Sequence, residues 1–195
     1  MAESHFPNDI IMRKRNPESS GTFSHNRKAN TTVGSSSVAV GGRNVEASGW
    51  YAYAEGYNTV ASGQSAHAEG DNTHATGSYS HAECDQATAS GDMSHAEGSC
   101  TIASGECSHA EGSVTTANHR CQHVFGEYNV LDTSQADSSE RGTYVEIVGN
   151  GTNWNARSNA RTLDWNGNEW LAGSLTLGNT TLTEANLQAL LALLN

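Results

Sequence analysis

A repeat of fourteen residues constrains this chain more than any other feature. Ala61-Ser62-Gly63-Gln64-Ser65-Ala66-His67-Ala68-Glu69-Gly70-Asp71-Asn72-Thr73-His74 is followed in frame by residues 75–88, 89–102 and 103–116. Ser-His-Ala-Glu-Gly returns at 94–98 and 108–112, with Cys84 closing the copy at 80–84. So short a period has no room for a helix, and each copy reads as one turn of a stacked β-solenoid. Weaker copies extend the frame. Residues 47–60 put Tyr53 in the His column, and 33–46 put Val38-Ala39-Val40-Gly41-Gly42 where the others have Ser-His-Ala-Glu-Gly. Residues 19–32 keep Gly21, Ser24 and His25, and 117–130 keep Ala117, His123 and Gly126. Eight turns at strand spacing predict a roll about 40 Å long over residues 19–130.

Within a turn, two short strands alternate with bends. The first spans Ser94-His95-Ala96-Glu97 and its equivalents and ends at Gly98, and the second spans Thr101-Ile102-Ala103 and ends at Ser104-Gly105. Glycine is expected at both corners because it tolerates positive φ. Residues two apart on a strand share a face. The sixth and eighth columns, from Val38 and Val40 through Ser108 and Ala110, and the thirteenth and first, mostly Thr and Ala, therefore point inward. His and Glu of the seventh and ninth columns then share the outer face.

With hydrophobic residues at 35% and 20 glycines, a conventional core is hard to build, so small residues fill a narrow interior and further apolar surface is buried between chains. A net charge of −11 argues against nucleic acid or an anionic membrane as partner. No apolar run is long enough to insert into a membrane, and no basic start with an apolar stretch opens a secretory signal, so a soluble, cytosol-made chain is expected.

Outside the roll, residues 1–18, with Phe6-Pro7-Asn8-Asp9-Ile10-Ile11-Met12 before Arg13-Lys14-Arg15, read as an arm that packs on a neighbour. Residues 131–141 read as a neck and 142–180 as a small β region. There Thr143-Tyr144-Val145-Glu146-Ile147-Val148 is a strand, Gly149-Asn150-Gly151 a turn, and a hairpin forms around Asn166-Gly167. Trp154, Trp165 and Trp170 suggest an aromatic core in the region or between subunits. Over 181–195, Thr183-Glu184-Ala185-Asn186 offers an N-cap, and Leu187, Leu190, Leu191 and Leu194 follow at helical spacing. A helix this short does not stand alone; three copies bundled on one axis would bury its leucines and make it the trimerising element.

Two columns form the sharpest constellation: His67, His81, His95, His109 and His123 beside Glu55, Glu69, Glu83, Glu97 and Glu111. Three chains meeting on this face would set three imidazoles per layer, a metal- or anion-holding geometry. Five equal copies favour a hydrogen-bonded ladder instead, and neither metal nor cofactor is assigned. Stacked glutamates repel unless histidines two residues away compensate, so stability is expected to depend on pH in the histidine range. His–Glu pairs also suit acid–base catalysis, but no singular nucleophile or cleft residue accompanies them, and the chain is read as no enzyme. Thr59, Thr73, Thr101 and Thr115 fall inside by parity, against an ice-binding role. For ligand recognition the candidates are Trp50, Tyr51, Tyr53, Tyr57 and Trp154, because aromatic faces stack on sugar rings. Cys107 and Cys121 share a column one turn apart, about 5 Å between Cα atoms and within disulfide range, or are tolerated substitutions.

The Ala-Ser-Gly and Ser-His-Ala-Glu-Gly repeat resembles the head repeat of YadA-like trimeric adhesins. The tail, Gly149-Asn150-Gly151-Thr152 through Arg157-Ser158-Asn159-Ala160-Arg161-Thr162-Leu163-Asp164-Trp165-Asn166-Gly167-Asn168, resembles the C-terminal part of tail-fibre and neck-appendage proteins of bacteriophages of Gram-positive bacteria. The resemblance implies an all-β fold, a left-handed parallel β-roll in a homotrimer. It also implies a virion tail component, made in the host cytoplasm, that attaches to a host cell-surface glycan or protein, its arm docking on other tail or baseplate proteins. A bacterial surface adhesin is the second expectation, and a glycan-cleaving or self-cleaving enzyme the third.

Overall fold

The computed structural model describes residues 23–25 and 34–193. The expected arm at 1–18, most of the turn at 19–32, and Leu194 lie outside the described residues. The solenoid strands are β1 (Phe23–His25), β2 (Val38–Arg43), β3 (Glu46–Ala47), β4 (Tyr53–Tyr57), β5 (Val60–Ala61), β6 (His67–Asp71), β7 (His74–Ala75), β8 (His81–Asp85), β9 (Thr88–Ala89), β10 (His95–Ser99), β11 (Ile102–Ala103), β12 (His109–Ser113), β13 (Thr116–Ala117) and β14 (His123–Glu127). Then follow β15 (Tyr144–Asn150), β16 (Asn159–Asp164), β17 (Glu169–Leu171), β18 (Leu175–Leu177), β19 (Thr180–Leu182) and one helix, α1 (Glu184–Ala192).

The fold is an all-β, parallel stacked solenoid. Long strands stack in parallel as one sheet, and β3 to β13 stack as a second, six-stranded sheet. Among the described residues both strands of a turn therefore form six times. The outer copies contribute only β1 and β14 among the described residues. Register is strict: His95, Ala96, Glu97 and Gly98 pair with His109, Ala110, Glu111 and Gly112.

The interior follows from alternation along the strand. Ala54, Ala68, Ala82, Ala96 and Ala110 of one sheet and Ala61, Ala75, Ala89, Ala103 and Ala117 of the other are fully buried. Thr59, Thr73, Thr101 and Thr115 are inside as expected, and so are Ser80, Ser94 and Ser108. A buried hydroxyl needs a partner; Ser80 and Ser94 donate to the Gly77 and Gly91 carbonyls at 2.7 and 2.6 Å. Third-column glycine is required by contact between turns, since a Cβ on Gly63 would stand 1.9 Å from the Gly77 carbonyl oxygen. In the last turn of the repeat that column holds His119.

The tight corners correct one expectation. Within the described solenoid, glycine takes positive φ only at the end of the long strand, as at Gly70 (111°) and Gly98 (103°). The left-handed corner residues are otherwise non-glycine: Ser65, Tyr79, Met93, Cys107 and Cys121 in the fifth column, Asn58, Asn72, Gln86, Cys100 and Val114 in the twelfth. Their N–H groups donate to the preceding turn, Tyr79 to the Gln64 carbonyl at 2.7 Å and Gln86 to that of Asp71 at 2.8 Å. These bonds hold a conformation that side chains disfavour.

The first turn is corrected by one residue. Val38, Ala39 and Val40 pair with Tyr53, Ala54 and Glu55, and the register shifts between Gly41 and Arg43. Ser37 and Ala39 are therefore buried, while Val38 and Val40, expected inside, lie on the outer face and are half-buried. A slip of one residue exchanges the two faces of a strand, and the extra residue here is Gly42. The shift carries into β1, where His25 pairs with Val40 in the Glu column instead of the His column.

Past the repeat, β15 pairs in parallel with β14, Ile147 beside Val124 and Gly149 beside Gly126. The strand expected to stop at Val148 runs on to Asn150, because Gly149 occupies the glycine column: a Cβ on Gly126 would meet the Gly149 carbonyl oxygen at 2.2 Å. Ile147 is fully buried and caps the alanine core. Residues 131–143 fold back on the last turns, the N–H groups of Glu106 and Arg120 donating to the Ser138 and Glu140 carbonyls at 2.9 Å. Strands β16 and β17 add antiparallel, with the expected turn at Asn166-Gly167. Arg161 lies between Glu146 and Glu169 and ties the three strands together. Strands β18 and β19 form a further hairpin, not anticipated from the sequence, that turns at Gly178-Asn179. Helix α1 opens at Thr183, whose side chain accepts from the Asn186 N–H while Asn186 returns to the Thr183 N–H.

Candidate functional site

The His and Glu columns lie side by side on the outer face of the long sheet, with a buried alanine between them in each rung that carries both. Imidazoles of His67, His81, His95, His109 and His123 stack with ring centroids 4.5–5.0 Å apart and planes within 16° of parallel. An aromatic closes each end. Tyr53 sets its edge against His67 at 5.1 Å, and Phe125 lies 5.2 Å from His123. Tyr53 also donates its hydroxyl to Glu55 at 2.8 Å, and that bond raises the phenol's pKa.

Four of the five histidines, His81, His95, His109 and His123, reach back one rung. His95 Nε2 is 3.5 Å from a Glu83 oxygen and His109 Nε2 is 3.4 Å from Glu97; His81 to Glu69 and His123 to Glu111 are 3.9 and 3.8 Å. None of the five Nε2 atoms makes a hydrogen bond, and all five are closed to solvent. Burial lowers the pKa of His81 and of His123, and the neighbouring imidazoles lower it further. The carboxylates are coupled in turn: the hydrogen bond with Glu83 raises Glu69 and lowers Glu97. Three sets gather nitrogen and oxygen donors within 4.8 Å of one another: Glu55 with His67 and Glu69, Glu69 with His81 and Glu83, and His95 with Glu97 and His109. An open groove of about 500 Å³ runs beside them past Glu55, Glu69 and Glu83.

The aromatic candidates do not form one patch. Trp50 and Tyr51 project from the bend before β4, 64% and 63% exposed, and Tyr57 is exposed at that strand's far end. Tyr53, half-buried, belongs to the histidine ladder. Trp154 is 60% exposed, edge-on to Tyr128 at 6.0 Å with the Arg157 guanidinium 5.2 Å from its centroid. No aromatic core unites Trp154, Trp165 and Trp170 within the chain: Trp154 and Trp170 are exposed, and Trp165 packs under Arg141 at 4.3 Å. All four cysteines are free thiols. Burial raises the Cys107 pKa, and Cys121, one rung on, raises it further.

Three features escaped the sequence reading. Tyr79 and Met93 are exposed on adjacent turns in the column of Tyr51, which column counting would have found. An open hollow of about 540 Å³ lies between Arg157, Tyr144, Thr162 and Trp170, assembled from segments that the linear order keeps apart. The third is a buried polar knot. Asp132 accepts N–H bonds from Thr143, Ser134 and Tyr144 at 2.6, 3.0 and 3.0 Å, and His119 Nε2 lies 3.1 Å from the Ser134 hydroxyl and 4.0 Å from an Asp132 oxygen. Burial by itself would raise the Asp132 carboxyl, but the donated bonds from Ser134, Tyr144 and Thr143 outweigh it and hold the pKa below the usual range. The knot fastens the 131–143 loop over the end of the solenoid.

Compared with known proteins, the sequence matches no family model and no curated protein.

Proposed function

We propose that this chain is a structural and adhesive protein, a homotrimeric fibre or receptor-binding tip of the phage-tail kind that attaches to a cell-surface glycan. The observation that carries the reading is α1. No residue of this helix is buried, and Leu187, Leu190 and Leu191 are 47–59% exposed. Apolar surface of this kind on a short helix points to a partner, and a second and third copy of the same helix supply a matching face. The rigid β-solenoid suits a spacer, and Trp50, Tyr51 and Trp154 offer exposed aromatic faces for sugar rings. The test is solution mass by light scattering on the full chain and on a chain without residues 181–195. A trimer that dissociates or misfolds without the helix supports the reading; a stable monomer in both overturns it.

A further inference from the structure

We propose that His95, Glu97 and His109 form a binding site for a first-row divalent cation of the zinc type, held by two imidazole nitrogens and one carboxylate oxygen across two adjacent rungs. The donor atoms already lie within 4.8 Å of one another. Around a tetrahedral zinc with bonds of 2.0–2.1 Å, ligand atoms stand about 3.3 Å apart. Closing that gap takes a shift of roughly 1 Å per side chain and a turn of both rings out of their stack, which lies within 11° of parallel, so that the nitrogens converge; the side chains concerned are about one-third exposed and have room to move.

The second observation is the state of the nitrogens. Nε2 of His95 and of His109 is shut off from solvent and makes no hydrogen bond. Each has only a glutamate oxygen of the preceding rung near it, at 3.5 and 3.4 Å; a buried polar atom without a hydrogen bond is costly, and a coordinated cation satisfies both atoms at once. The third is charge. Glutamates repeat in register on neighbouring rungs, Glu83 beside Glu97 beside Glu111, and stacked like charges repel. A divalent ion offsets that repulsion where it is concentrated.

Two imidazole nitrogens select a borderline transition ion over calcium or magnesium, which prefer oxygen. The other two sets each supply one imidazole and two carboxylates and share Glu69, so they compete for one ligand and the two-imidazole set fills first. The proposal does not depend on the adhesive reading or on the oligomeric state.

The test uses the full chain, stripped with a chelator and titrated with Co²⁺ and Zn²⁺. Cobalt bound through nitrogen gives visible absorption bands, and zinc raises the melting temperature because it binds the folded state. Glu97→Gln and His109→Tyr are the diagnostic variants, each checked by circular dichroism. Glutamine keeps the shape, and the histidine column already accepts tyrosine at Tyr53. Each is expected to weaken binding tenfold or more, while Cys107→Ser/Cys121→Ser leaves it unchanged. The proposal is overturned by absence of cobalt bands and of any zinc-induced shift at about 100 µM ion, a concentration that detects even weak sites. It is equally overturned by binding that survives both variants, or by calcium binding as strongly as zinc.

Discussion

His109 is paired with Glu97, the glutamate one rung back, at 3.4 Å. Among the described residues, every His–Glu contact within 4.0 Å on this face crosses between rungs in the same direction. The ladder is therefore a set of links between turns, and its chemistry bears directly on how the solenoid holds together.

Acid should loosen it. His81 and His123 have folded pKa values below the ordinary histidine value, so in the window beneath about 6.5 the unfolded chain binds more protons than the folded one. Stability is then fully present above that window and falls as pH drops through it. In chelator-treated protein the melting temperature should be lower at pH 5 than at pH 7.5, and His81→Tyr should flatten the difference. A melting temperature constant from pH 5 to 8 contradicts this.

Cys84 stands where its column otherwise has glycine and carries φ of 80°, against 95–114° for Gly56, Gly70, Gly98, Gly112 and Gly126. Cys84→Gly should relieve the strain and stabilise the chain by about 1 kcal/mol, read as a rise of about 2–4 °C in melting temperature. The opposite exchange, Gly63→Ala, puts a Cβ 1.9 Å from a backbone oxygen and should cost on the order of 4 kcal/mol. Equal stability of both variants would sink the argument.

Removing the Asp132 carboxylate strands three backbone donors. Asp132→Ala should cost about 3 kcal/mol and raise hydrogen exchange in residues 131–143 ahead of the repeat. Its depressed pKa makes this contribution present above the ordinary aspartate range and lost as pH falls through the folded value. Unchanged exchange in the loop would show that the knot does not fasten it.

On the proposed adhesive function, Trp50→Ala with Tyr51→Ala should weaken binding to a glycan-bearing surface about thirtyfold or more, as expected for exposed aromatic anchors of about 2 kcal/mol, with the circular dichroism spectrum unchanged. Full retention of binding would move recognition to Trp154 or to the hollow beside Trp170.

Much of the solenoid was legible because a strand exposes alternate residues to one face, and a fixed period repeats that alternation. Ala68, Ala82 and Ala96 inside, Thr73 and Thr101 inside, His and Glu outside all follow from local parity. The N-cap of α1 was equally local, three residues apart in sequence. The first turn misled because Gly42 adds one residue, and only pairing with β4 reveals on which side of the slip Val38 and Val40 fall.

Sequence by itself determined the repeat, its faces and the residue types that line them, since those depend on neighbours along the chain. Tertiary structure decided the rest. It carried β15 into the sheet across the 131–143 loop, buried His119 against Asp132, left Trp154 and Trp170 in solvent, and set His95 against Glu83 on the rung before its own. These depend on which segments meet after the chain has turned, and the spacing of residues along one strand carries no record of the strand that will lie beside it.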